Sequence, residues 1–309
     1  MGTYVGIDVS KDRLDVHILP QEVTFAVERN GKGLCSLVER LKPLLPSLIA
    51  VEATGGFEST TAAALAGAGL PLAVINPAQI RHYAQALGKR AKTDAIDAKV
   101  IARFAADVKP EPRSLPDELT QFLADLVTRR RQIVEMMQAE RQREKRATVK
   151  RLKKSLARLI AALEKELSEL DRDIDDTVRG SPVWREKEDL MASVPGVGPQ
   201  TARTLIAELP ELGSLDRKTV ASLAGLAPYT RQSGRWKGKS MIAGGRKTVR
   251  SALFIAAMVA CRYNPVLKSF YERLVNAGKP KVLAIVAVAR KLLTILNAIL
   301  RDKKPWQPA

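Results

Sequence analysis

The chain has little cysteine: two residues among 309, Cys35 and Cys261, each inside an apolar helical pattern. Two thiols so placed make neither a zinc spacing nor a disulfide framework, which argues against a disulfide-stapled scaffold and fits a reducing cytosol. Aromatic residues are also scarce, at 5%. Recognition of single strands by base stacking usually draws on aromatic platforms, whereas recognition of shape and backbone does not need them. The two histidines, His17 and His82, show no partner spacing and read as structural or surface residues. No apolar run of about 18 residues occurs, so no membrane span is expected. The chain opens on a strand-like YVGIDV without the charged leader of a signal peptide.

What the chain has in excess is positive charge. Lysine and arginine number 51 against 33 acids, a net +18, and apolar residues make up 46%, ample for a buried core. Placement matters more than size. Residues 1–110 carry a net +2 and residues 111–190 a net +1, while residues 191–309 hold 20 basic and 5 acidic side chains, a net +15 accumulating after Tyr229. A one-sided field of this kind is the footprint of a protein that neutralises phosphates.

The first 105 residues alternate strand and helix signals. YVGIDV (4–9), RLDVHIL (13–19) and VTFAV (23–27) read as three strands in quick succession. A helix follows from Gly33 to Leu45, with Leu34, Leu37, Val38 and Leu41 on one face. Then come a strand at Leu48–Glu52, a helix from about Ser59 to Gly67, a strand at Pro71–Ile75 and a turn at Asn76-Pro77. This is the element order of an RNase H-like mixed sheet, expected over residues 1–110.

Residues 117–179 contain neither proline nor glycine. Val149, Leu152, Leu156, Leu159, Leu163, Leu167, Leu170 and Ile174 recur at spacings of three and four, the seam of a coiled coil, so residues 116–179 are expected to be assembly helices. Their seams close against each other or against another subunit. Residues 129–158 are strongly basic, and read equally well as a nucleic-acid rail or a solvated face. A mostly helical third part, residues 183–309, opens with VPGVGPQTARTL, a glycine turn of helix-hairpin-helix type. Its Gly196 and Gly198 would let backbone N–H groups point at a phosphate.

Four carboxylates fit one site. Asp8 is on the first strand, Glu52 ends the fourth, and Asp94 and Asp97 lie three apart on the helix closing the domain. Lys92 and Lys99 could balance the last two as surface pairs, but that leaves Asp8 and Glu52 on apolar strands, where an unpaired charge is costly. Divalent ions explain all four together. Two Mg²⁺ ions about 4 Å apart can activate a nucleophile and stabilise a leaving oxygen. Asp12 and Asp15 are assigned to the solvent face.

The stretches YVGIDVSKDRLDV, VEATGGFE, VINPAQIR, KTDAIDAKVIA, PGVGPQTA and LAGLAPYTRQSGRWKGKS, in that order, resemble the IS-one-ten family of insertion-sequence transposases, bridge-RNA-guided DNA recombinases. The resemblance implies a RuvC-like domain with Asp8, Glu52, Asp94 and Asp97 as the metal-binding tetrad, and a transposase domain whose Ser233 attacks the DNA phosphate. Composition alone does not single out Ser233, and Ser240 stands seven positions on. A serine hydroxyl becomes a good nucleophile only when its proton is accepted or a metal activates it. Arg231, Arg235, Lys237 and Lys239 would steady the phosphate beside it, with Lys92, Arg246, Lys247 and Arg250 as further nucleic-acid contacts. Also implied are donor and target DNA as substrates, a noncoding bridge RNA that chooses them, and a dimer or tetramer with a split active site, acting in the bacterial or archaeal cytosol. Two rival readings stand beside it: a metal-only junction nuclease using water, and a non-catalytic nucleic-acid-binding protein.

Overall fold

The computed structural model describes residues 2–88, 94–112, 117–230, 232–233, 236–238 and 240–308, with backbone alone for 94–96, 232–233 and 236–237. The chain divides into two compact units, Met1–Pro116 and Asp117–Ala309.

In the first unit, β1 (Tyr4–Val9), β2 (Arg13–Leu19) and β3 (Val23–Glu28) form an antiparallel meander. Helix α1 (Gly31–Leu41) leads to β4 (Leu48–Glu52), and α2 (Glu58–Gly67) to β5 (Leu72–Ile75). Both later strands run parallel to β1, because a helical crossover returns the chain in the same direction. The sheet order is β3-β2-β1-β4-β5. Asn30 starts α1 by accepting from the Gly33 N–H at 2.9 Å. The helix stops at Leu41, short of the expected Leu45, and Lys42–Leu44 tighten into a 3-10 turn. Pro43 is the physical reason, since it brings no N–H to an α-helical turn.

Two apolar layers sandwich the sheet. Val5, Ile7, Val9, Ile49 and Val51 pack with Leu37 and Leu41 of α1 and Ala62 and Leu65 of α2. On the opposite face Leu48, Ala50, Ala73 and Ile75 pack with Ile80 of α3 (Pro77–Ala86) and Ile101, Phe104 and Ala105 of α4 (Asp94–Val108). Period-two alternation thus assigns odd residues of β1 to one layer and even residues to the other. Gly6 belongs to the α4 face and explains how closely α4 lies on the strand. A Cβ there would come within 2.2 Å of the Ala102 nitrogen and 2.3 Å of the Ala98 carbonyl oxygen.

The second unit begins with a helical hairpin, α5 (Glu118–Arg146) and α6 (Lys150–Gly180). The helices are antiparallel, as the ion pairs Arg130–Asp171 and Arg141–Glu164 require. Ile133, Met137 and Leu170 form a small core between them. Near the turn the apolar seam is left open: Val149, Leu152 and Leu159 are exposed. At the other end Leu123, Val127, Ile174 and Val178 join the main core of this unit, so the assembly helices pack with the C-terminal part.

That core is completed by α7 (Pro182–Ala192), α8 (Pro199–Glu208), α9 (Arg217–Leu223), α10 (Lys247–Tyr263), α11 (Pro265–Asn276) and α12 (Lys281–Asp302). Four two-residue strands, β6 (Pro228–Tyr229), β7 (Gln232–Ser233), β8 (Trp236–Lys237) and β9 (Met241–Ile242), stand between α9 and α10. By length and composition alone α12 is apolar enough to cross a membrane, a property that buried core helices share. Arg290 and Lys291 interrupt its apolar run and hide it from a search for continuous stretches. Here its Val288, Leu292, Leu293 and Leu296 face are wholly buried in the core.

Inside this core Arg203, 7% exposed, donates through Nε to Glu188 at 2.7 Å and pairs with Asp175. A buried guanidinium is tolerated only with such partners.

Candidate active site and nucleic-acid interface

Asp8 and Glu52 are brought to one edge by sheet register. The parallel pairing of β1 and β4 runs from Tyr4–Leu48 to Ile7–Val51, and each acid is the next residue of its strand. Asp8 shares its face with Gly6, and Glu52 shares its face with Leu48 and Ala50, so both belong to the side that α4 covers. Ala98 and Ala102 of α4 lie over Gly6, and Lys99 bonds to Glu22 of the β2–β3 turn. Asp94 and Asp97 belong to the first turn of the same helix.

Asp97 is half-buried, and Asp94 is described by its backbone only. Among the described residues no three His, Cys, Asp or Glu side chains gather as a metal set. Asp8, Glu52 and Asp97 are therefore not gathered as a set of three, and the side chain of Asp94, the fourth candidate, lies outside the described residues. The donors present fit magnesium in kind: carboxylate oxygens are the ligands a hard cation takes.

Asp15 is where the sequence assignment fails. It is 2% exposed rather than solvent-facing, stands directly opposite Asp8 in the β1–β2 register, and accepts from Arg13 Nη2 at 2.5 Å. All five central residues of β2 are buried, because helices cover both faces of the sheet here. The buried His17 pairs its Nδ1 with Thr24 Oγ1 at 2.7 Å. Lys99, a candidate partner for Asp97 by spacing, is bonded to Glu22, whose carboxyl it holds below the usual range. Lys92 lies outside the described residues.

Sequence reasoning also gave no role to Glu58. Its Oε2 accepts from the N–H groups of Thr54 and Gly56, at 2.9 Å each, and so shapes the loop leaving Glu52. The signal was an acid two residues after a Gly-Gly pair, a spacing that closes a turn on backbone donors.

Ser233 sits on a β-ribbon. The outer rungs pair Pro228 with Ile242 and Tyr229 with Met241, and the inner ones pair Gln232 with Lys237 and Ser233 with Trp236. Arg231, Arg235 and Lys239 lie outside the described residues, and Lys237 is described by its backbone. Ser240, the rival nucleophile, shares a hydrogen bond with Thr230 at 3.1 Å.

The ribbon's root is clamped. Gly225 and Gly245 approach so closely that a Cβ on Gly245 would meet the Gly225 nitrogen at 2.2 Å. Arg250 Nη1 donates to the Gly244 carbonyl at 2.5 Å. Arg246 grips both Glu211 oxygens at 2.6 Å and donates to the Glu208 carbonyl at 3.0 Å. The structure therefore gives Arg246 and Arg250 bracing work under the ribbon. Lys247 opens α10 beside them.

The GVG turn divides in two. Gly196 has φ +107, and a Cβ there would meet Ala260 Cα at 2.6 Å, so packing of α10 requires this glycine. Gly198 meets nothing within 4 Å and is the N-cap of α8.

Acids on adjacent strands and a strongly basic C-terminal part are features that a DNA-processing enzyme uses. Comparison with known proteins shows that class. Residues 5–159 match a family model described as a transposase of the DEDD, IS110 type, and residues 188–272 match the model "Transposase IS116/IS110/IS902 family". The chain is 31% identical to the pilin gene-inverting protein of Moraxella bovis, over 98% of this chain and 97% of that protein. The same identity and coverage hold for the Moraxella lacunata protein of that name. It is 33% identical to the insertion element IS900 uncharacterized 42 kDa protein of Mycobacterium paratuberculosis, over 50% of this chain and 40% of that one. The chain belongs to the IS110 family of transposases.

Proposed function

We propose that this transposase cuts and rejoins the DNA strands of an insertion sequence with an RNase H-like, RuvC-like acid site and a serine nucleophile. The observation that carries the reading is the shared edge of Asp8 and Glu52 on adjacent parallel strands, on the side covered by α4. Asp8, Glu52, Asp94 and Asp97 would hold two Mg²⁺ ions. When bound, these ions supply activation of a nucleophile and stabilisation of a leaving oxygen.

Ser233 is the attacking group in this reading. Its oxygen forms a bond to the DNA phosphorus and gives a phosphoserine, the bridging oxygen leaves with one strand end, and attack by a second strand end restores the serine. Arg231, Arg235, Lys237 and Lys239 hold the phosphate's charge, and Gly198 at the α8 N-terminus adds backbone donors. The basic surface after Tyr229 attracts donor and target DNA and a bridge RNA read by shape and backbone. The open seam at Val149, Leu152 and Leu159 supports assembly into a dimer or tetramer, with acids and serine contributed by different subunits. The cytosol, where DNA is, is the site of action. Relatives named for inverting a pilin gene align over nearly the whole chain, and inversion uses the same cut-and-rejoin chemistry.

The experiment is to incubate protein, Mg²⁺, the RNA transcribed from the element's flank, and donor and target DNA. Covalent protein–DNA adducts and joined products that vanish in Ser233→Ala are expected. Free cut ends without adducts would mean a water-using nuclease instead, and retarded but uncut DNA a binding protein.

A further inference from the structure

Two loops border the edge that carries Asp8 and Glu52: residues 10–12 after β1 and residues 53–57 after β4. Arg29 ties them together. Its backbone N–H donates to the Asp12 carbonyl at 2.9 Å and its Nε to the Lys11 carbonyl at 2.6 Å. Its Nη1 reaches Thr60 Oγ1 at 3.3 Å, and its guanidinium lies over Phe57, 5.0 Å from the ring centroid.

The second loop is stiffened from within by the two N–H bonds to Glu58. Its Gly55 and Gly56 have φ +62 and +103, and a side chain grown from either meets no atom within 4 Å. These glycines serve the turn and leave bare, open backbone beside the acids. Phe57 is 41% exposed next to them. A cation covers one face of the ring, and the loop fixes its position.

A preorganised, partly exposed ring costs little entropy to engage and suits a flat π partner. A strand whose phosphate met Asp8 and Glu52 would carry its neighbouring bases toward this loop, which directly follows Glu52. We propose that Phe57, braced by Arg29, is the stacking platform for an unpaired nucleobase beside the scissile phosphate; this rests on the recombinase reading above. A single platform orients a strand without reading its sequence, since every base has a π-face.

The test uses single-stranded oligonucleotides carrying 2-aminopurine at one position at a time, mixed with the full chain in EDTA so that no cutting occurs. Wild type should quench the fluorescence at one position. Phe57→Ala should lose that quench and bind roughly tenfold more weakly, whereas Phe57→Trp should keep both. Because Phe57 is exposed, melting temperatures of the variants should match wild type. Equal fluorescence of wild type and Phe57→Ala at every position overturns the platform, even if the wild type cuts DNA with Mg²⁺. A wild type that forms neither cuts nor adducts overturns the recombinase reading and the platform with it.

Discussion

In the first unit Asp8 and Glu52 end neighbouring strands near the centre of a five-stranded sheet, with apolar layers on both faces. In the second, Ser233 lies on a two-residue strand of a ribbon whose root is clamped. The acids inherit their positions from pairing register, so moving one means moving the sheet. The strand of the serine rises from a root fixed by local contacts. Charge follows the same division: residues 1–110 are nearly neutral at +2, and residues 191–309 carry +15. A metal site needs rigid, converging oxygens, whereas a group that attacks and then releases DNA needs reach and a basic surround.

The sharpest way to break this contrast is to remove each chemistry separately. Ser233→Ala should abolish adducts and Asp8→Asn should abolish all cutting, each a loss on the order of 10⁴-fold or more. Single-turnover gels would show both, and residual adducts in Ser233→Ala would shift the nucleophile to Ser240. Next come the close approaches. Gly6→Ala should cost about 1–3 kcal/mol by overpacking α4 against β1, and Gly196→Ala a similar amount against Ala260. Gly198→Ala, at an open position, should change stability by less than about 0.5 kcal/mol. Urea unfolding compares the three, and equal losses would refute the split of the GVG turn into a packed and an open glycine.

A smaller effect concerns salt. DNA affinity should fall steeply with ionic strength, and Lys237→Gln should reduce the slope of log K against log salt by about 1. An unchanged slope would remove Lys237 from the phosphate contacts. The smallest concerns Glu22, whose carboxyl the Lys99 ammonium holds below its usual value of 4.5. A depressed folded-state value contributes stability above about 4.5, lost as pH falls through the folded value. Glu22→Gln should therefore be slightly less stable than wild type at neutral pH, and the gap should close in acid. A gap that persists in acid would mean that Glu22 acts through shape rather than charge.

Much of this arrangement is legible in the chain. YVGIDV and LIAVE announce strands by apolar runs with an acid at or next to the end, and β-branched residues mark both. Asp15 misleads, because RLDVHIL alternates as though one face met solvent, and alternation does not say how many helices cover a sheet. Arg246 and Arg250 have partners within the chain that the sequence does not announce. In a basic stretch any arginine suggests phosphate, and only the fold shows Glu211 and Gly244 beside them. Ser233 carries no local signal that separates it from Ser240. Family likeness selects it, and the ribbon supplies its setting.

The claim on which everything else depends is that acids from β1, β4 and α4 share one ion site. It is tested most directly by the melting temperature of wild type, Asp8→Asn and Glu52→Gln with and without Mg²⁺, since an ion held only by the folded state raises it. The expected result is a clear Mg²⁺-dependent rise in wild type that is mostly lost in both variants. A rise of the same size in either variant would contradict the shared site.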